Sequence, residues 1–158
     1  MATTSVSERR EQQAGHELEG PLPVLIVVTR LRLSHPRHRD AFLRAAASAI
    51  EQAADAPGNL GTEVLPQGND VYWTRTAWSD RDAMVSFMTT EPHLGTMANL
   101  DEWCDEASFV EWEQPTPMFP EWTTAYDRLI RDGRSPTLNQ PSPDHVTRSF
   151  APLTANGT

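Results

Sequence analysis

His93 stands in the stretch Trp78–Met97, WSDRDAMVSFMTTEPHLGTM, behind a proline and ahead of a glycine. An imidazole changes charge near neutral pH, so in a pocket it serves as a general base or as a donor to a substrate oxygen. At the end of a helix the same ring satisfies carbonyls and the dipole. The residue alone leaves both roles open. In the strand before it, Tyr72, Thr74, Thr76 and Trp78 share one face, and Val71, Trp73, Arg75 and Ala77 share the other. Trp78 is the candidate wall on which a flat molecule would stack, and Tyr72 the candidate for a polar ligand edge. Core packing is the equal alternative for the indole.

Other chemistry-bearing residues are weaker candidates. Arg75 projects with Trp73, where Glu111 and Glu113 on a neighbouring strand are expected to oppose it as an ion pair. Asp101 and Asp105 fall four apart on an expected helix, but neither a second histidine nor an H-E-x-x-H spacing completes a metal site, so none is expected. Cys104 is the only cysteine, which excludes an internal disulfide and a cysteine metal knuckle and leaves a spectator thiol. His35 and His38, in SHPRHRD, read as exposed residues at a helix start. No G-x-S-x-G elbow, phosphate loop or dinucleotide fingerprint occurs.

The chain has 158 residues and a formal charge of -9, and its 13 cations are all arginine. An acidic surface without a basic stripe is a poor partner for nucleic acid or an anionic membrane. The longest apolar run, Val24 to Val28, is far too short to span a bilayer, and no signal-peptide pattern precedes it; a soluble cytoplasmic protein is expected.

These residues need a scaffold. Residues 1–20 lack apolar periodicity and read as a flexible arm. PLPVLIVVTRLRL is a strand with Leu25, Val27, Thr29, Leu31 and Leu33 on one face and Val24, Ile26, Val28, Arg30 and Arg32 on the other. Ser34 is expected to cap a helix from about Pro36 to Ala54, with Phe42, Ala46, Ala49, Ile50 and Ala53 inward. Two extended segments around PQGND form a hairpin. Ser79 and Asp82 are expected to open a helix carrying Ala83, Met84, Phe87 and Met88, followed by a helical piece from about Leu94 to Glu106 that includes Met97, Leu100 and Cys104. SFVEWEQ is the fourth strand.

The order is β-α-β-β-α-β, an α+β ferredoxin-like antiparallel sheet over residues 21–114. Its second face, with Val24, Ile26 and Val28, would be left apolar, which points to a homodimer. Residues 115–158 hold seven of the 13 prolines and one amphipathic segment, PEWTTAYDRLIRDG, with Trp122, Ala125, Tyr126 and Leu129 at helical spacing. They form an extra helix and a proline-rich arm that must cover either this subunit or its partner.

With that order of elements, TAWSDRDAMVSFMTTEPH resembles the antibiotic biosynthesis monooxygenase family of dimeric α+β barrels, with Trp78, Ser79 and Pro92-His93 in the matching places. The resemblance spans roughly Pro23 to Gln114. It implies a pocket between sheet and helices, lined by Trp78, Tyr72, Thr29, Thr76, Phe87 and Met97, with His93 as base and no flavin, metal or other cofactor. It implies an aromatic or polyketide-like substrate and a cofactor-independent monooxygenase. Thr29, in VTRLRL, takes the place of an asparagine that the family's haem degraders and several of its oxygenases carry, which brings a non-oxidative cyclase or isomerase into competition. A ligand-binding barrel without turnover is the reading from a different class.

Overall fold

A computed structural model describes residues 22–154 of the chain. Ten elements run in the order β1 (Val24–Leu33), a 3-10 turn (Pro36–His38), α1 (Arg39–Asp55), β2 (Asn59–Gln67), β3 (Val71–Trp78), α2 (Arg81–Met88), α3 (His93–Trp103), β4 (Cys104–Gln114), α4 (Trp122–Asp132) and α5 (Pro143–Thr147). The strands form one antiparallel sheet in the order β2-β3-β1-β4, so the expected ferredoxin-like α+β sheet is the fold. The expected arm at residues 1–20 lies outside the described residues.

Register fixes which side chains share a face. Thr29 lies between Thr74 on β3 and Phe109 on β4, and Val28 between Arg75 and Val110. Because side chains alternate, Leu25, Val27, Thr29 and Leu31 face α1–α3 and Val24, Ile26, Val28 and Arg30 face the other way. At the β2–β3 turn Asn69 and Asp70 adopt φ of 64° and 57°, the left-handed region that such short polar side chains tolerate.

Several boundaries differ from expectation. The 3-10 turn is capped by His35, whose Nδ1 accepts from the Arg37 N–H at 3.0 Å, while the Ser34 hydroxyl donates to the Trp103 carbonyl. Asp80, not Ser79, caps α2, accepting from the Ala83 N–H at 2.8 Å. Its carboxylate outcompetes the neighbouring hydroxyl for the orphan donors and the helix dipole. Cys104 and Asp105 belong to β4, which starts four residues before the expected strand, because pairing with Leu33 and Arg32 on β1 overrides the helical spacing.

The far face of the sheet is not open. α4 lays Ala125 and Leu129 against Ile26, Val28, Trp73 and Trp112, and Phe150 joins the same buried cluster. Residues 134–150 then run along β4: Arg134 bridges Phe109, the Ser142 N–H donates to the Asp105 carbonyl, and His145 caps the Ala107 N–H. The apolar surface from which a second sheet was expected is thus covered by the chain's own C-terminal segment.

Candidate functional site

On the helix face the core splits in two. Leu25, Ala53, Trp78 and Met84, with Phe87, form one cluster near the start of β1. Leu33, Phe42, Leu100 and Cys104, with Tyr72 and Trp103, form another at its end. Between them Thr29, Thr74, Thr76 and Phe109 are only partly covered, a threonine-rich strip of sheet that neither cluster seals.

His93 sits over the first cluster as the first residue of α3, not at the close of the preceding helix, because Thr89–Pro92 separate α2 from α3. Its Nδ1 lies 3.2 Å from the Met88 carbonyl. A carbonyl only accepts, so Nδ1 carries the proton and the neutral ring leaves a lone pair on Nε2. Nε2 has no hydrogen-bond partner among the described residues. The ring rests on Phe87 at 4.5 Å, and Phe87 stacks on the fully buried Trp78 at 5.1 Å, making one aromatic ladder from core to helix junction. Burial pulls the imidazole below its usual pKa, opposed by the bond to the Met88 carbonyl.

Gln52 of α1 holds this junction. Its Oε1 accepts from the His93 N–H at 2.7 Å, and its amide donates to the carbonyls of Phe87 (3.2 Å) and Thr90 (3.1 Å). One side chain therefore satisfies three backbone groups between two helices. Sequence reasoning missed it. Its only signal was a polar residue beside the inward Ala53, which says nothing of its partners.

Gln52, Phe87 and Thr90 also line a groove of about 560 Å³, open to solvent, which continues past Gly58, Ser79 and Asp80 between the end of α1 and α2. Gly58 has φ of 85°, and a Cβ built there would meet the Ala83 Cβ at 2.5 Å. Only glycine lets the chain cross this close to α2.

The remaining candidates spread out. Thr76 accepts from the Trp78 indole N–H at 2.8 Å. Met97, one turn beyond His93 on α3, is 40% exposed. Thr29 lies mid-strand in the open strip. Tyr72 stands with the second cluster, its ring 4.9 Å from Phe42 and its hydroxyl 3.4 Å from Asp70, and burial raises its pKa. Six strand positions separate it from Trp78, roughly 20 Å, so it is not beside His93.

Two weaker expectations, the Arg75 pairing and the shared face of Asp101 and Asp105, are corrected. Arg75 pairs with Glu63 on β2, not with Glu111 or Glu113, because β1 lies between β3 and β4; its guanidinium sits over the Trp122 ring at 4.0 Å. Glu111 pairs instead with Arg81 at 2.7 Å. Asp105 is on a strand and pairs with Arg32, so it shares no helix face with Asp101. The Cys104 thiol is buried, and burial with the nearby Asp105 pushes its pKa up to about 12, which keeps it protonated and unreactive. Among the described residues no three histidine, cysteine or acidic side chains converge to hold a metal ion.

The antibiotic biosynthesis monooxygenase family model matches residues 24–99, from the start of β1 into α3. Over those residues the domain is similar to that family. No curated protein sequence is significantly similar to the chain. Among solved structures the domain resembles SnoaB, a cofactor-independent oxygenase from Streptomyces nogalater, at 17% identity, TM-score 0.51, over 63% of this chain and 100% of that one. It also resembles Rv0793 from Mycobacterium tuberculosis (13%, TM-score 0.53, 61% and 97%) and NE2512 of unknown function from Nitrosomonas europaea (19%, TM-score 0.52, 65% and 99%). At these identities the likeness is one of fold. Among the described residues no helix is long and apolar enough to cross a membrane.

Proposed function

We propose that the domain is a cofactor-independent monooxygenase acting on a small aromatic or polyketide-like molecule, bound against the Trp78–Phe87–His93 ladder. The observation that carries this reading is the unpartnered Nε2 of His93, on a ring anchored at both its backbone N–H and its Nδ1 and kept neutral by burial. A base of lowered pKa is already deprotonated at neutral pH. The groove beside Phe87 falls within the size range of small-molecule sites. The one oxygenase among the named structural neighbours is itself cofactor-independent.

In this mechanism Nε2 removes a proton from an acidic carbon or its phenol, leaving a resonance-stabilised carbanion on the flat substrate. The carbanion passes electrons to dioxygen; one oxygen atom stays on the carbon as a carbonyl and the other leaves as water with the two hydrogens the carbon held. The Thr76 and Thr29 hydroxyls supply hydrogen bonds to substrate oxygens, and Met97 and Phe87 supply apolar wall, with Trp78 buried behind Phe87 and Tyr72 at the far end of a longer ligand. The reading includes a cytoplasmic homodimer whose contact must use surface other than the sheet face already covered by α4.

A second reading, a non-oxidative cyclase or isomerase, is favoured by Thr29, whose short hydroxyl makes fewer contacts to an oxygen species than a carboxamide. Oxygen-electrode and product assays on acidic phenols and β-diketones decide between them. Oxygen uptake that falls by about a hundredfold or more in His93→Gln supports the monooxygenase. Turnover without oxygen uptake selects the cyclase, and binding without turnover leaves a ligand-binding barrel.

A further inference from the structure

On the opposite side of the sheet, under the C-terminal segment, lies a second cavity of about 140 Å³. Its lining includes Arg30, Arg32, Val71, Trp73 and Glu106 from the strands and Asp144 and Pro152 from the segment that closes over them. Arg30 is 2% exposed and Glu106 1%. Nη1 of Arg30 donates to Glu106 Oε1 at 2.7 Å, and its guanidinium lies 4.9 Å from the Phe150 ring. The second oxygen of Glu106 accepts from the Ser142 hydroxyl at 2.8 Å and lies 3.2 Å from Arg32 Nη1.

One donor in this network is unused. Arg30 Nε is buried and has no hydrogen-bond partner among the described residues. Elsewhere in this protein the same edge of the guanidinium is filled by a carboxylate. Arg32 gives Nε and Nη2 to the two oxygens of Asp105 at 2.9 and 2.6 Å, and Arg39 gives the same pair to Asp70 at 2.8 and 2.9 Å. That side-on pair is the geometry a carboxylate fits with two parallel bonds. In Arg30 the Nε–H of that edge is left without an acceptor, in a side chain that lines the cavity.

Charge narrows the ligand further. The charged wall is Arg30 and Arg32 with Glu106 and Asp144, and of the two carboxylates Asp144 alone makes no ion pair among the described residues. A bare anion would meet repulsion there, whereas a molecule carrying a cationic nitrogen opposite its carboxylate would not. We propose that this cavity is a binding site for a small zwitterionic amino-carboxylate, its carboxylate on the free edge of Arg30, its ammonium toward Asp144 and its compact apolar part on Trp73. The volume holds on the order of four or five waters, which admits a molecule the size of alanine and excludes a polycyclic one. The site is independent of the His93 site, which lies across the sheet.

The test follows the Arg30 Nε–H resonance in ¹⁵N-labelled full-length protein while L-alanine, propionate, propionamide and isopropylamine are added separately. Expected is a saturable shift with L-alanine, a weaker one with propionate and none with the other two. Arg30→Lys, which keeps the charge beside Glu106 but loses the fork, weakens L-alanine at least tenfold. Asp144→Asn, at an exposed position, removes the advantage of L-alanine over propionate. The proposal is overturned if no probe moves the resonance up to about 50 mM, where even a millimolar ligand saturates, which is the result of a cavity that holds water only. It is also overturned if isopropylamine or propionamide binds as well as L-alanine. Should Arg30→Lys not fold, Asp144→Asn decides alone: a retained preference for L-alanine sinks the assignment.

Discussion

His93 is the residue on which the proposed chemistry rests. Folding lowers its pKa through burial, so the folded state binds its proton more weakly than the unfolded chain. Above the unfolded value, near 6.5, the ring is neutral in both states and costs nothing; as pH falls through that value the unfolded state takes up the proton first, and stability declines until the folded ring is also protonated. An NMR titration should place the His93 midpoint below 6.5, and kcat/KM in the proposed reaction should rise with pH through that midpoint and then level. A midpoint above 6.5 would contradict the burial seen here. Gln52 supports the same ring from behind. Gln52→Ala should cost about 1–3 kcal/mol by leaving the His93 N–H and two carbonyls without their protein partner, and it should shift the His93 midpoint. Unchanged stability and an unchanged midpoint would show that water replaces the amide fully. The aromatic candidates and His93 were legible in sequence as members of one strand face and one helix junction. The Nδ1–Met88 bond and the Gln52 clasp were not, because both depend on how two helices meet, which no local pattern records.

At the scale of elements, the strands were the readable part. Alternation in VLIVVTRLRL and VYWTRTAW assigned every side chain to its face, since a one-residue slip would turn a whole apolar row to the wrong side. Helix ends were less readable. The choice between Ser79 and Asp80 as cap, and between helix and strand for Cys104–Ala107, is settled by tertiary partners. Gly58 shows how tightly α1, β2 and α2 are joined. Gly58→Ala forces an alanine into φ of 85° and against Ala83, and thermal unfolding should report a loss of roughly 2 kcal/mol or more, with the groove beside Phe87 distorted. A variant as stable as the parent would mean that the α1–β2 turn relaxes freely. α5 is fixed through His145, whose Nδ1 accepts from the Ala107 N–H at 3.2 Å and whose Nε2–H donates to the Pro136 carbonyl at 3.0 Å. His145→Ala should speed amide exchange at Ala107 and across Pro143–Thr147, with β1 and β3 unaffected; uniform exchange would place α5 outside the role given to it.

Seen whole, the molecule is a four-stranded sheet covered on both sides by one chain. The amphipathic spacing of Trp122–Leu129 announced a helix that must cover something, but sequence spacing could not say what, because distance along the chain does not encode which face the return path takes. Removing residues 115–158 should uncover Ile26, Val28, Trp73 and Trp112, and light scattering should then show association or aggregation beyond that of the full chain at equal concentration. A truncated, monodisperse monomer would show that the sheet tolerates an uncovered face. The same arrangement sets an order of events during synthesis. All four strands are complete once Gln114 has been added, yet Leu129 and Phe150, which close the sheet, come later. Gln114 leaves the ribosome before Leu129 and Phe150 do, so the growing chain carries a sheet with one adhesive side until they follow, which exposes it to neighbouring nascent chains on the same message.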